Sequence, residues 1–299
     1  MYRIDLHTHS NMSDGTLSPE ELIGAACNAG LAAVALTDHD TAAGLARAAA
    51  AADALSPSHP FEFIPGIELS VSYMSRELHL VGLHLDLHSP SFQSALSALQ
   101  DNRDARNLRM IGIMQDAGID ISMEQLRREQ GSGILTRANF ARYLMEHGYI
   151  QTIQEGFDRY LDVGKPFYVP REYMDPETAI TLIHSVSGIA ILAHPLLYHF
   201  SVPELEQAAG GLKAMGLDGL EAYYSMNSGY DTVHMKKLAQ AHGLILSGGS
   251  DFHGSNKPHI RLGFGRGNLC IPEDVLQKQK AYLAARHTAR IDSCIDTIE

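Results

Sequence analysis

Short apolar runs separated by helix-like stretches set the rhythm of most of this chain. Ile4-Asp5-Leu6 is a brief strand candidate, Ala32–Leu36 a buried one, and Phe61–Ile67 and Leu78–Leu85 are two more. The rhythm resumes with a helix near Glu177–Ser187 and strands at Ile189–Ala193 and Gly219–Ala222. A helix near Tyr230–His242 and a strand at Leu244–Leu246 complete it. Ser18-Pro19-Glu20-Glu21 opens a helix: serine can cap, proline suits the first turn, and acids favour the positive helix end. An alanine-rich helix runs from Thr41 to about Leu55. Such alternation predicts an α/β fold around a parallel sheet, open or closed into a barrel. From Phe92 to Val169 the pattern changes. Leu96, Leu99, Met110, Ile113 and Met114 recur at helical spacing, and Leu126, Phe140, Leu144 and Met145 continue the theme. Residues 92–169 therefore read as an inserted helical cap between barrel segments 1–91 and 170–299.

Polar residues gather just after the expected strands. Asp5-Leu6-His7-Thr8-His9 and Ser13-Asp14-Gly15 follow the first, and Thr37-Asp38-His39-Asp40-Thr41 follows the second. Gly66-Ile67-Glu68 ends the third, and Glu77-Leu78-His79 lies in the fourth. Later strands end in Ala193-His194-Pro195 and in Ser250-Asp251-Phe252-His253-Gly254. In a parallel α/β fold the carboxyl ends of the strands open onto one face, so residues 250 positions apart can share a cleft. His-x-His on a strand points both imidazoles to one side, where they can grip one ion. Imidazole and carboxylate without thiolate suit zinc, manganese or iron. Taken singly each motif has a plainer explanation: a packed histidine, Asp14 in a turn before Gly15, or Asp38 and Asp40 capping the next helix. Their repetition after strands, beside acids and glycines, points instead to one shared site. The ten other histidines lack that setting and read as structural or surface residues.

Composition narrows the partners. The chain has 299 residues, 45% hydrophobic and 19% charged, enough for one large globular α/β domain. A formal net charge of −12 argues against a broad basic face for long duplex nucleic acid. A short nucleotide held locally stays compatible, because each divalent cation would add two positive charges at the site. Three cysteines in no paired spacing argue against a disulfide framework or thiolate zinc site, and predict a cytoplasmic setting. The start lacks a signal-peptide core, and no apolar run reaches membrane-spanning length, so no membrane association is expected.

The motifs His7-Thr8-His9, Asp14-Gly15, Thr37-Asp38-His39-Asp40, Gly66-Ile67-Glu68, His79, Ala193-His194-Pro195 and Asp251-Phe252-His253 together resemble those of the polymerase-and-histidinol-phosphatase (PHP) family. The likeness covers residues 1–90 and 176–265, in matching order. The segments 133–142 and 164–169 resemble its branch of small stand-alone phosphoesterases acting on nucleoside 3′,5′-bisphosphates, also described as 5′-to-3′ exoribonucleases. This resemblance implies a distorted (β/α)7 barrel with two or three divalent cations per chain, most often Mn2+, with Zn2+, Fe2+ or Mg2+ as alternatives. It implies that His7, His9, Glu68 and Asp251 hold the first cation. Glu68, His79 and His194 would hold the second, with Glu68 bridging, and Asp14, His39 and His253 the third. A hydroxide bridging the first two, held by Glu68 with His194 and Asp251, would attack phosphorus in line. Asp38 and Asp40 are expected to orient His39 and its neighbours.

For substrate, the cap offers Thr136, Arg137, Lys165, Tyr168 and Arg171, while Tyr223 and Tyr224 are candidates to stack on a base. The resemblance implies removal of the 3′-phosphate from adenosine 3′,5′-bisphosphate, giving AMP, with the 5′-phosphate as anchor. Release of mononucleotides from the 5′ end of short RNA would use the same site, and no obligate protein partner is expected. Three rivals share part of this reading. One is a histidinol-phosphate or other small phosphomonoesterase. A polymerase-associated proofreading module is another, for which no polymerase segment is present. The third, of a different class, is a non-catalytic metal-binding regulatory protein, which should have lost ligands that this sequence retains.

Overall fold

A strand buried at every position needs cover on both faces, and Leu31–Leu36 (β2) is such a strand. In the computed structural model, which describes residues 3–86, 89–130, 133–170 and 172–295, that cover comes from a nearly closed barrel. The other strands are β1 (Arg3–Asp5), β3 (Glu62–Tyr73), β4 (Arg76–Leu83), β5 (Ile189–Leu192), β6 (Gly219–Tyr224), β7 (Ile245–Gly249) and β8 (Ile271–Pro272). They form one sheet in the order β7-β6-β5-β4-β3-β2-β1-β8. The helices are α1 (Pro19–Asn28), α2 (Leu45–Ala54), α3 (Pro90–Asp116), α4 (Met123–Gln130) and α5 (Arg137–Glu146). After these come α6 (Ile153–Gly156), α7 (Pro176–Ser185), α8 (Val202–Ala214), α9 (Gly229–Ala241) and α10 (Asp274–Ile295).

Alternate residues of the strands sort into two cores. Ile4, Leu6, Ala33, Ala35, Ile64, Val81, Leu83, Ile189 and Ile191 fill one, closed at its base by Ile271, Val275 and Leu276. Their neighbours face outward: Val34 and Leu36 pack on α1 and α2, and Leu80, Leu192, Leu220 and Ala222 on α7, α8 and α9. A separate cluster, including Met110, Met114, Leu126, Phe140, Leu144 and Phe167, holds the α3–α6 region together. That region is tied to the barrel where Ile134 N–H donates to the Met12 carbonyl at 2.7 Å.

The edges of the sheet meet where β1 passes β7. Leu6 N–H donates to the Gly248 carbonyl at 3.2 Å, and Asp251 N–H to the His7 carbonyl at 2.9 Å. Gly249 makes this approach possible, because a Cβ there would lie 2.1 Å from His7 Cβ.

The expected parallel sheet is interrupted. β3 and β4 are antiparallel, as are β4 and β5, while β1-β2-β3 and β5-β6-β7 are parallel. The β3–β4 reversal is a two-residue turn, Met74-Ser75, both left-handed with φ 48° and 60°. Neither residue is the glycine or asparagine that announces such a turn, so an apolar run read equally well as a parallel strand. The short β8, antiparallel to β1, and the helices α8 and α10 add to what was expected. α2 begins at Leu45, not Thr41, because the segment before it turns through Asp40 at φ 50°.

At the N-terminal end of β6, far from the strands' carboxyl ends, Asp218 gathers four elements. It accepts from Ala190 N–H (2.8 Å) and Tyr282 O–H (2.7 Å), and meets His184 Nε2 (2.7 Å) and Arg286 Nη1 (3.2 Å). This network holds α7 and α10 to the base of the barrel.

Candidate metal centre

His7 and His9 follow β1 directly, and the alternation of an extended chain turns both rings to one side. Their Nε2 atoms lie 3.1 Å apart, and each is 3.3 Å from the same oxygen, Glu68 Oε2. The hairpin explains why His79 joins them. Ser70 pairs with His79 across β3 and β4, so Glu68 and His79 share a face, and His79 Nδ1 comes to 2.9 Å from Glu68 Oε1. His194 enters from the end of β5, its Nε2 3.1 Å from Glu68 Oε1, and His39 Nδ1 lies 3.1 Å from Oε2. One buried carboxylate thus faces five imidazoles.

Asp251 and Asp14 complete the set. Asp251 Oδ1 lies 3.5 Å from His9 Nε2, 3.9 Å from His7 Nε2 and 3.3 Å from His253 Nδ1. Asp14 Oδ1 is 3.1 Å from His253 Nε2, and its Oδ2 is 3.7 Å from His39 Nε2. His194 (φ 30°) and Asp251 (φ 57°) both hold left-handed backbone where their strands end. L-residues adopt that conformation at a cost, and such costs concentrate at functional sites. All nine residues singled out in the sequence therefore converge, in four overlapping groups of three or four donors within 4.8 Å of one another.

The donors fit divalent cations. Buried imidazole nitrogens normally have hydrogen-bond partners, yet His9 Nδ1, His39 Nδ1 and His194 Nδ1 have none of adequate geometry. Two imidazole nitrogens aimed at each other beside one carboxylate oxygen describe lone pairs converging on a point. Protons can stand in for the cations only in part. Burial opposes charging His9, but Asp251 and Glu68 raise it to about 9. Burial likewise opposes charging His79, and Glu68 and Glu77 carry it to about 10. Burial holds His39 down at about 3. For Glu68, burial is outweighed by His39, His79 and His7, which keep it well below the carboxylate range.

A surrounding layer of residues fixes the ligands, and the sequence reading missed most of it. Glu221 on β6 accepts from His194 N–H at 2.8 Å and meets His7 Nδ1 at 3.0 Å, leaving His7 Nε2 toward the centre. Its signal was an acid inside an otherwise apolar strand. Tyr224 donates its O–H to Asp251 Oδ2 at 2.8 Å, and Lys257 Nζ sits 2.6 Å from the same oxygen. Asp38 accepts from Ser10 and Ser13 and so pins the turn carrying Asp14. Asp40 takes Ser70 N–H at 3.1 Å and pairs with Arg103. These acids thus brace the loops on either side of His39. Glu221→Gln is expected to weaken cation affinity about 10- to 100-fold, as loss of a partner orienting a ligand histidine typically does. Titration against a chelating indicator measures this, and wild-type affinity in the variant would contradict the role.

A cavity of about 410 Å³ opens from the cluster toward α3, α5 and α6. Thr136, Arg137 and Tyr168 line it. Thr136 Oγ1 also donates to Asp14 Oδ2 at 3.1 Å, and Arg137 Nη2 is 3.1 Å from Glu77 Oε2. Lys165 is exposed and outside the lining, because the turn before Phe167 directs it to solvent. Arg171 lies outside the described residues. Tyr224 is committed to Asp251, and Tyr223 packs against the core beneath Lys236, so neither is placed as a base-stacking wall. Among the described residues no helix is long and apolar enough to cross a membrane.

A barrel whose strand ends present six histidines and three acids, with the Glu68 carboxylate facing five of the imidazoles, defines a class of metal-centred proteins. The chain belongs to the PHP domain family, which matches residues 5–169. It is 36% identical to the 3′,5′-nucleoside bisphosphate phosphatase of Chromobacterium violaceum, covering 85% of this chain and 88% of that protein. It is 35% identical to the 5′-3′ exoribonuclease Rnm of Escherichia coli strain K12, covering 87% of each. A solved structure described as a Chromobacterium violaceum amidohydrolase with bound sulfate and no metal superposes with a TM-score of 0.82. Identity there is 32%, covering 93% of this chain and 96% of that one.

Proposed function

We propose that this chain hydrolyses the 3′-phosphate of nucleoside 3′,5′-bisphosphates, giving the 5′-monophosphate and phosphate. The observation that carries this reading is the convergence of nine donors, seven of which line a cavity sized for a small nucleotide. The named activities of the relatives supply the substrate class. Divalent cations bound there, with Mn2+ as the proposed metal, would lower the pKa of a bound water and offset phosphoryl charge. His7, His9, Glu68 and Asp251 would hold one cation, Glu68, His79 and His194 a second, and Asp14, His39 and His253 a third. Residues 92–169 act as a cap over the cavity. In it Thr136 keeps Asp14 in place, and Arg137 and Tyr168 face the nucleotide. A 3′-phosphodiester presents its phosphorus as a 3′-phosphate does, so 5′-to-3′ release of mononucleotides from short RNA belongs to the same reading.

The deciding experiment is phosphate release from adenosine 3′,5′-bisphosphate, 3′-AMP, 5′-AMP and histidinol phosphate, each with Mn2+ and with chelator. Metal-dependent release fastest from the bisphosphate is expected. Preference for histidinol phosphate would favour the phosphomonoesterase rival, and no release from any would favour a non-catalytic role.

A further inference from the structure

β4 holds His79 and β5 leads into His194, and the ladder between these strands is irregular where the two ligands emerge. Leu80 pairs with Leu192, so the antiparallel register continues with His79 opposite Ala193. Residues of a hydrogen-bonded antiparallel pair exchange two N–H···O bonds. Here one is direct, from Ala193 N–H to the His79 carbonyl at 3.0 Å. The second is relayed through the Tyr198 hydroxyl, which accepts from His79 N–H at 2.8 Å and donates to the Ala193 carbonyl at 2.8 Å. The left-handed His194 (φ 30°) starts the short turn Pro195–Tyr198 that brings the phenol back to this rung. Arg76, at the start of β4, donates to the Tyr198 carbonyl and ties the turn to the same strand. The Tyr198 ring also backs the His194 imidazole, with ring centroids 5.5 Å apart. Tyr198 lies outside the cavity lining, so its hydroxyl serves backbone and not substrate.

We propose that Tyr198 is a positioning residue for the second cation: its hydroxyl, wedged into the β4–β5 ladder, sets the separation of His79 and His194. This assignment rests on the cation arrangement of the hydrolase reading above. A relay of two bonds spans more than the single bond of about 3 Å that it replaces. It holds the strands apart at this corner, while the direct bond from Ala193 N–H keeps them joined. His79 Nδ1 and His194 Nε2 can then approach one oxygen, Glu68 Oε1, from different strands, at 2.9 and 3.1 Å. Tyr198→Phe fills the same space without the bridge. It either leaves a backbone donor and acceptor unpaired or lets the strands close. A cation site tolerates roughly ±0.2 Å in its ligand distances, so either response weakens it.

The test is Mn2+ binding by the full chain as wild type, Tyr198→Phe and Tyr282→Phe. Cations held per chain are read by mass spectrometry across a series of free Mn2+ concentrations. Tm and phosphate release from adenosine 3′,5′-bisphosphate are followed in parallel. Tyr282→Phe removes a different phenol bond, the one to Asp218 at the base of the barrel, and so controls for general loosening. In Tyr198→Phe one cation is expected to need about 10- to 100-fold more Mn2+, while the others bind as in wild type. The Mn2+ requirement of phosphate release should rise by the same factor, with kcat recovering in excess Mn2+. Tyr282→Phe should lower Tm and leave the Mn2+ requirement unchanged. Wild-type binding in Tyr198→Phe, an equal weakening of every cation, or the same shift in both variants overturns the assignment and leaves the hydrolase reading intact. A wild-type chain that binds no Mn2+ overturns both, and one that binds Mn2+ yet releases no phosphate overturns the hydrolase reading alone.

Discussion

Glu68→Gln is expected to lower metal-dependent phosphate release by about three orders of magnitude and to reduce the cation content of the purified protein. Glu68 Oε1 faces His79 and His194, and Oε2 faces His7, His9 and His39, so each oxygen serves a different set of imidazoles. An amide has one acceptor oxygen and no charge, so it can support only one of those sets. Charge stabilisation by a bound cation contributes several kcal/mol to a phosphoryl transition state, and about 4 kcal/mol corresponds to a thousandfold in rate. Metal analysis by mass spectrometry and steady-state phosphate release check the two parts separately. A variant retaining its full cation complement and a rate within tenfold of wild type would show that the carboxylate is not shared.

The second large effect concerns stability. Asp218→Ala is expected to destabilise the fold by about 3 kcal/mol or more, because it removes a buried carboxylate whose charge-assisted bonds hold a half-buried guanidinium, a phenol and a backbone N–H. Arg286, Tyr282 and the Ala190 N–H all lose their acceptor together. For a chain of this size the drop in Tm is roughly 6 °C or more. The effect has a definite pH signature. Burial raises the Asp218 pKa, but bonds from His184, Tyr282 and Ala190 outweigh it and hold the carboxyl below its usual range. A depressed pKa contributes stability that is complete above the unfolded-state value, about 3.9, and is lost as pH falls through the folded-state value. The gap in Tm between wild type and variant should therefore be constant near neutrality and close under acid. A gap that widened as pH fell would refute the network.

The donor set was legible because every ligand except His79, which lies within β4, follows or ends an apolar run, and such runs survive as β1, β2, β3, β5 and β7. The direction of β4 was not legible. Leu78, Leu80 and Leu83 are buried in an antiparallel strand as they would be in a parallel one, and Met74-Ser75 gives no sign of reversal. Arg103, Arg106 and Glu221 escaped notice for a related reason. A charged residue in a helix or strand tells nothing of which side it faces until packing decides, and these three turn inward. The opposite holds for Lys165, a basic residue in a promising segment that ends up in solvent. α8 contains Gly210-Gly211, which weakens its helical pattern, although the Ser201–Glu204 capping box marks its start.

The seam between β1 and β7 bears on how the centre comes into being. Ser250 N–H reaches Asp5 across 245 residues, and Asp251 reaches His7 and His9 by the same join. Contacts so distant in the chain carry the largest loop-closure entropy and form slowly. The hairpin pair Glu68–His79, separated by eleven residues, can be in place long before. A nascent chain thus acquires a partial pocket early and full chelating power only when β7 docks against β1, which makes cation capture a reporter of barrel closure.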